Sequence, residues 1–214
     1  FKLNVENFNT SHIIIIATIV LLMFVNWLIE TLKWKNLMQK EYPLSWGEAI
    51  RATLLGVCVS FILPNRMGDF VGRAFAMPKN YALKGGITTL VSNFSQGLIT
   101  IVVGCVGLLY CFIIEKEYSS YTTYYIIGLI LLCFTIILML IVYFNLSTII
   151  SFLQRFNNKL ALFLNKKLLF LHSYSSKDLL KTLFLSFIRY FVFSVQLYLA
   201  LTLFSYQLPI IPIL

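Results

Sequence analysis

An all-α integral membrane protein, a polytopic helix bundle with one re-entrant segment broken by proline and glycine, is the fold class this sequence predicts. Three observations predict it. Hydrophobic residues make up 59% of the 214 positions and charged residues 12%, where a soluble domain carries about a quarter charged. Mean hydropathy is +0.86, and the apolar residues gather into long runs. One of these, over 52–77, is interrupted by Pro64-Asn65-Arg66-Met67-Gly68-Asp69. A proline, a glycine and two opposite charges at that depth are tolerated only where the chain is buried in protein or lines a polar cavity.

In chain order, the first expected span covers residues 13–28 and passes into Glu30, Lys33, Trp34 and Lys35, an aromatic and basic collar of the kind found at a headgroup boundary. The apolar piece over 50–63 is short, roughly 21 Å as a helix, against a hydrocarbon core of about 30 Å. Residues 50–77 are therefore expected to enter and leave on one face as a re-entrant hairpin. Further spans are expected over 85–114, 124–144 and 179–206, and a basic connector over 148–170 separates the last two. On a helical wheel Arg155, Lys159 and Lys166 fall in a narrow arc, with Ile149, Phe152, Phe156, Leu160, Phe163 and Leu164 around the remainder. The connector reads as a helix lying on anionic inner-leaflet lipid, or as an elbow whose lysines obey the inside rule. The whole chain is expected to be a single transmembrane domain, 1–214, and a fragment of a longer protein, since it opens on Phe1 and closes on an apolar run too short to span.

Charge placement sets the expected topology. Residues 115–121 are poor in basic side chains and belong outside, whereas Lys33, Lys35 and Lys40, then Arg66, Arg73, Lys79 and Lys84, then the connector, belong inside. A hairpin over 50–77 reconciles the first two basic groups. This places Phe1 outside.

Polar residues inside the spans line up at helical spacing. Asn93, Gln96 and Thr100 share one face of the 85–114 segment, and Ser186, Arg189 and Gln196 share one face of the last span. An arginine at that depth costs about 2.5–3.5 kcal/mol to insert, so Arg189 requires a partner or water. Asp69, the acid in the break, is expected to pair with Arg66, Arg73 or Arg189, or to meet a cationic headgroup, and Arg189 is expected to face the same cavity. Arg66 and Arg73 suit bidentate phosphate binding. The expected substrate-binding set is Asn65, Arg66, Asp69, Arg73, Asn93, Gln96, Arg189 and Gln196. Helix packing is the competing explanation for the amides.

Asn26-Trp27, Glu30, Lys33-Trp34, Arg51, Gly56 and Ser60, then Pro64 to Asp69 and Gly72-Arg73, resemble the lysylphosphatidylglycerol synthase transmembrane-region family, the flippase-like membrane domain of bacteria and archaea. The specific part lies within 26–73. The resemblance implies a multi-pass protein of the bacterial inner membrane with interrupted helices, whose relatives move aminoacylated phospholipid between leaflets. It also implies a stand-alone member, since no aminoacyl-transferring domain is present, and relatives run longer, with a second broken segment further on.

The functional expectation is a lipid translocase acting on a phospholipid or lipid-linked substrate. Two alternatives stay open: a membrane-embedded enzyme with Asp69 or Glu48 as base, and a non-catalytic assembly subunit, with homo-oligomerisation undecided. No cofactor or metal is expected. Cys58, Cys105, Cys111 and Cys133 lie singly in apolar segments without ligand spacing, His12 and His172 stand alone, and no GxxxxGK[ST] run offers ATP coupling. The net charge of +9 is not read as nucleic-acid binding, because the basic residues sit between apolar spans rather than on one soluble face.

Overall fold

The computed structural model describes residues 10–63, 67–114, 122–146, 148, 151 and 168–203. Its helices are α1 (Thr10–Met38), α2 (Trp46–Ser60), α3 (Met67–Ala76), α4 (Ala82–Ile114), α5 (Thr122–Phe144) and α6 (Ser176–Leu203), with a short 3-10 turn over Leu169–Ser173 before the last. No strand occurs among the described residues. Among the described residues, four helices, α1, α4, α5 and α6, are long and apolar enough to cross a membrane. Their outward faces carry large exposed apolar side chains such as Ile13, Leu21, Ile130, Phe134 and Phe184. In water that area would be a heavy liability, and in lipid it is the ordinary exterior. The protein is a multi-pass, all-α membrane protein.

Helix α1 differs from its expected span. It has 29 residues, about 43 Å of helix, and runs on to Met38. Its last three turns bury Asn26, Glu30, Lys33, Trp34 and Leu37, positions that recur every three or four residues and so share one face. Trp34 and Lys33 are both 0% exposed. These residues are thus interior contacts of the bundle and not a headgroup collar.

The break produces two short helices. Ser45 starts α2 with a capping box: its hydroxyl accepts the Glu48 amide at 3.2 Å and the Glu48 carboxylate accepts the Ser45 amide at 2.9 Å. At 15 and 10 residues, α2 and α3 span roughly 22 and 15 Å, too short to cross. They pack against each other at backbone distance. A Cβ added at Gly72 would lie 2.6 Å from the Gly56 Cα, which only glycine allows. One at Gly68 would run into the backbone of Ser60.

Two apolar cores hold these pieces. Leu37, Val91, Leu98, Tyr143, Phe170, Leu171, Leu179 and Leu183 join α1, α4, α5, the 3-10 turn and α6. Trp34, Met38, Leu44, Ala49, Ala52 and Met77 fasten the base of the α2–α3 hairpin to α1. One end of the bundle is also tied by polar contacts. Lys40 meets Asp178 at 3.2 Å, Lys84 meets Glu41 at 2.6 Å, and Ser173 donates to Glu41 at 3.0 Å. The end of α1 and the starts of α4 and α6 therefore meet at one end, where the hairpin both begins and ends.

Candidate substrate cavity

Measured along the helices, Glu30 lies roughly 12 Å inside that end and Arg189 roughly 20 Å. At this depth the hairpin closes against α1, α4 and α6 around a cavity of about 230 Å³. Helix α1 contributes Trp27 and Glu30, and α2 with the residue after it contributes Thr53, Val57, Ser60 and Phe61. The wall is completed by Asp69 and Arg73 from α3, Asn93 from α4 and Arg189 from α6.

Glu30 is the hub. One carboxylate oxygen accepts from Arg73 Nη2 at 2.9 Å and from Ser92 at 3.3 Å. The other accepts from Arg189 Nη1 at 2.7 Å and meets Lys33 Nζ at 2.9 Å. A single buried carboxylate thus ties α1 to α3, α4 and α6. Burying an ion costs several kcal/mol unless charged partners and hydrogen bonds surround it, and here they do. Around the hub, Arg189 Nε donates to Asn26 at 2.6 Å. Lys33 donates to Ser186 at 3.3 Å, and Ser186 shares a hydrogen bond with Ser95 at 2.8 Å. Arg73 Nε donates to Asp69 at 2.8 Å, and Asn93 reaches the same carboxylate at 3.4 Å. The Arg73 guanidinium also lies 5.4 Å from the Trp34 ring centre, a cation–π contact.

Of the expected site residues, Asp69, Arg73, Asn93 and Arg189 meet at this cavity. Asn65 and Arg66 lie outside the described residues, as does most of the 148–170 connector, including Arg155, Lys159, Lys166 and Lys167. Gln96 lies elsewhere, buried beside α6 and donating to the Ser186 carbonyl at 3.4 Å. Gln196 joins α6 to α1 by donating to the Ile19 carbonyl at 3.3 Å. Glu48 is occupied in the α2 capping box. Of the pairings open to Asp69, the structure makes the one with Arg73, four residues along its own helix, and the one with Arg189 is corrected: Arg189 pairs with Glu30. The nearer acid wins because α6 packs directly on α1, whereas Asp69 is already engaged one turn away. Glu30, Lys33 and Asn26 were missed as site residues. Their signal was the three-and-four spacing that continues the α1 helix past residue 28.

No group of three or more histidine, cysteine, aspartate or glutamate side chains placed to hold a metal occurs among the described residues. These features define a class: a multi-pass helical membrane protein with a charge cluster buried where a short helical hairpin meets three long helices. The chain belongs to the lysylphosphatidylglycerol synthase TM region family, whose model matches residues 5–214. Comparison with curated proteins and with solved structures finds no match.

Proposed function

We propose that this protein is a lipid translocase of the bacterial inner membrane, moving a phospholipid or lipid-linked headgroup between leaflets through the cavity beside the broken helix. The observation that carries the reading is the cavity itself. It is lined by Glu30, Asp69, Arg73 and Arg189 and closed on one side by two helices too short to span. A headgroup crossing a bilayer needs a polar path shielded from hydrocarbon, and short helices packed on long ones supply such paths in transporters. Family membership supports a protein that acts on lipids.

In this reading the headgroup enters beside Arg189, whose side chain keeps 24% of its surface exposed, while Lys33 and Arg73 behind it are 0% and 1% exposed. Glu30 holds the cationic wall in place when no headgroup is present. Phe61, 87% exposed and on the cavity wall, gives acyl chains an apolar edge to slide past. The hairpin enters and leaves at the cytoplasmic end, so the end of α2 and the start of α3 lie within the bilayer.

The test is reconstitution of the full chain in liposomes containing a phospholipid with a fluorescent acyl chain, followed by a membrane-impermeant quencher. Translocation exposes inner-leaflet probe, so quenching proceeds past the outer leaflet. Quenching that stops at the outer leaflet, in vesicles shown to contain folded protein, would refute the reading.

A further inference from the structure

Among the described residues, the charges around the cavity do not balance. Lys33, Arg73 and Arg189 are linked to Glu30 and Asp69, so three cations face two carboxylates and one positive charge is left over. No spare acid among the described residues neutralises it. Glu41 is paired with Lys84, Asp178 with Lys40, and Glu48 lies exposed at the start of α2 and does not line the cavity. A buried surplus charge is costly, and proteins keep one where a ligand supplies the counter-charge.

A second observation points the same way. Arg73 is 0% exposed and lines the cavity, yet its Nη1 has no hydrogen-bond partner among the described residues. Its other two nitrogens are committed to Asp69 and Glu30. A buried guanidinium nitrogen without an acceptor forfeits a charge-assisted hydrogen bond. Arg189 stands on the same wall as the one cation of the cluster with substantial exposure. Of the three cations on Glu30 it is the one most easily lent, since Arg73, Lys33 and Ser92 still satisfy that carboxylate without it.

We infer that the cavity selects a lipid whose headgroup is net anionic, with its phosphate seated on Arg189, the exposed cation of the wall, in front of the buried Arg73. The inference rests on the proposed translocation only for its route, because headgroup choice is measurable by binding alone. An arginine suits the oxygens of a phosphodiester better than a lysine does, by virtue of its planar fork. A zwitterionic headgroup brings no net counter-charge. A headgroup bearing an added amino ester brings a cation to a wall that already has one in excess, and like charges in a desolvated site repel strongly. The volume of about 230 Å³ suits a compact alcohol on the phosphate rather than an oligosaccharide.

The experiment uses the full chain in detergent and in liposomes, with acyl-labelled phosphatidylglycerol, phosphatidylethanolamine and an aminoacyl ester of phosphatidylglycerol. In detergent, lipid occupancy is read by native mass spectrometry, with inorganic phosphate and soluble glycerophosphoglycerol as competitors. Expected are a preference for phosphatidylglycerol of at least about tenfold over the other two lipids, competition by glycerophosphoglycerol, and weaker competition by phosphate. Arg189→Gln should bring that preference close to unity, and Arg189→Lys should retain part of it, in protein of unchanged helicity and size-exclusion profile. Equal occupancy by the three lipids, an unchanged preference in folded Arg189→Gln protein, or phosphate alone displacing lipid as well as glycerophosphoglycerol would each overturn the inference. Selective binding without movement in liposomes would uphold it while refuting translocation. Unselective movement would do the reverse.

Discussion

Glu30 is the side chain whose loss the bundle should tolerate least, and the structure says by how much and in which company. Glu30→Ala leaves Lys33 and Arg73 buried at 0% and 1% exposure beside Arg189, with Asp69 as the single remaining acid. Removing one partner of a buried pair costs about 3–5 kcal/mol, because the survivor keeps its desolvation penalty and loses its attraction. Glu30 has three charged partners, so its removal belongs at or above the top of that range. Adding Lys33→Met to Glu30→Ala deletes one stranded charge and replaces it with an apolar side chain of similar length. The double variant is therefore expected to be more stable than Glu30→Ala alone, with a coupling of roughly 1–3 kcal/mol in a double-mutant cycle. Apparent melting temperature and denaturant-induced loss of helicity in one detergent give the four corners of the cycle. Strictly additive losses, or Glu30→Ala protein melting within error of the parent, would show that water or counter-ions already satisfy the cluster, and the reasoning would fall.

Three other expectations are independent of that cycle. Gly72→Ala should destabilise by about 1–3 kcal/mol because its Cβ would meet the Gly56 backbone, whereas Gly97→Ala, with nothing within 4 Å, should be neutral or stabilising by up to ~1 kcal/mol; the reverse order in detergent melting would contradict the α2–α3 packing. Single cysteines near Lys40 and at Lys79, in a background lacking the four native cysteines, should both label from the cytoplasmic side only, and labelling from opposite faces would refute a re-entrant hairpin. A peptide of the 148–170 connector should bind anionic vesicles in a salt-sensitive manner and gain helicity there, and equal binding to neutral vesicles at any salt would leave its apolar face as the sole cause.

The four long helices were legible because lipid imposes a one-dimensional rule: a sustained apolar run must be helical. The two short ones were legible from the opposite signal, since Pro64, Gly68 and the charges of Arg66 and Asp69 cannot sit in a lipid-facing helix. The extent of α1 is the least legible part of the fold. Hydropathy ends the span near Leu28, where Glu30 and the lysines begin, but backbone hydrogen bonding has no reason to stop there. Helix α1 continues to Met38 because the bundle supplies partners for its charges. A charged residue just past an apolar run looks the same in sequence whether it faces headgroups or a buried carboxylate. Periodicity separates the cases: Asn26, Glu30, Lys33 and Leu37 share the face that packs, while Lys35 turns away and lies over the Trp46 ring at 5.1 Å.

Which acid meets which base is a different kind of question, and depth alone does not answer it. Arg189 needed compensation on energetic grounds, and both Asp69 and Glu30 lay within 26–73. The choice was made by tertiary packing, for α6 lies along α1 and presents Arg189 to Asn26 and Glu30 together. Asp69, on a helix of 10 residues, found its cation one turn away in Arg73. The pairing bears on the proposed translocation. With Arg189 paired to Asp69, a headgroup would have had to break the hairpin's own acid from α6 in order to bind. With Glu30 as the shared acceptor, the proposed translocation would let Arg189 turn to a phosphate while Arg73 and Lys33 stay on Glu30, so the hairpin would remain attached to the bundle.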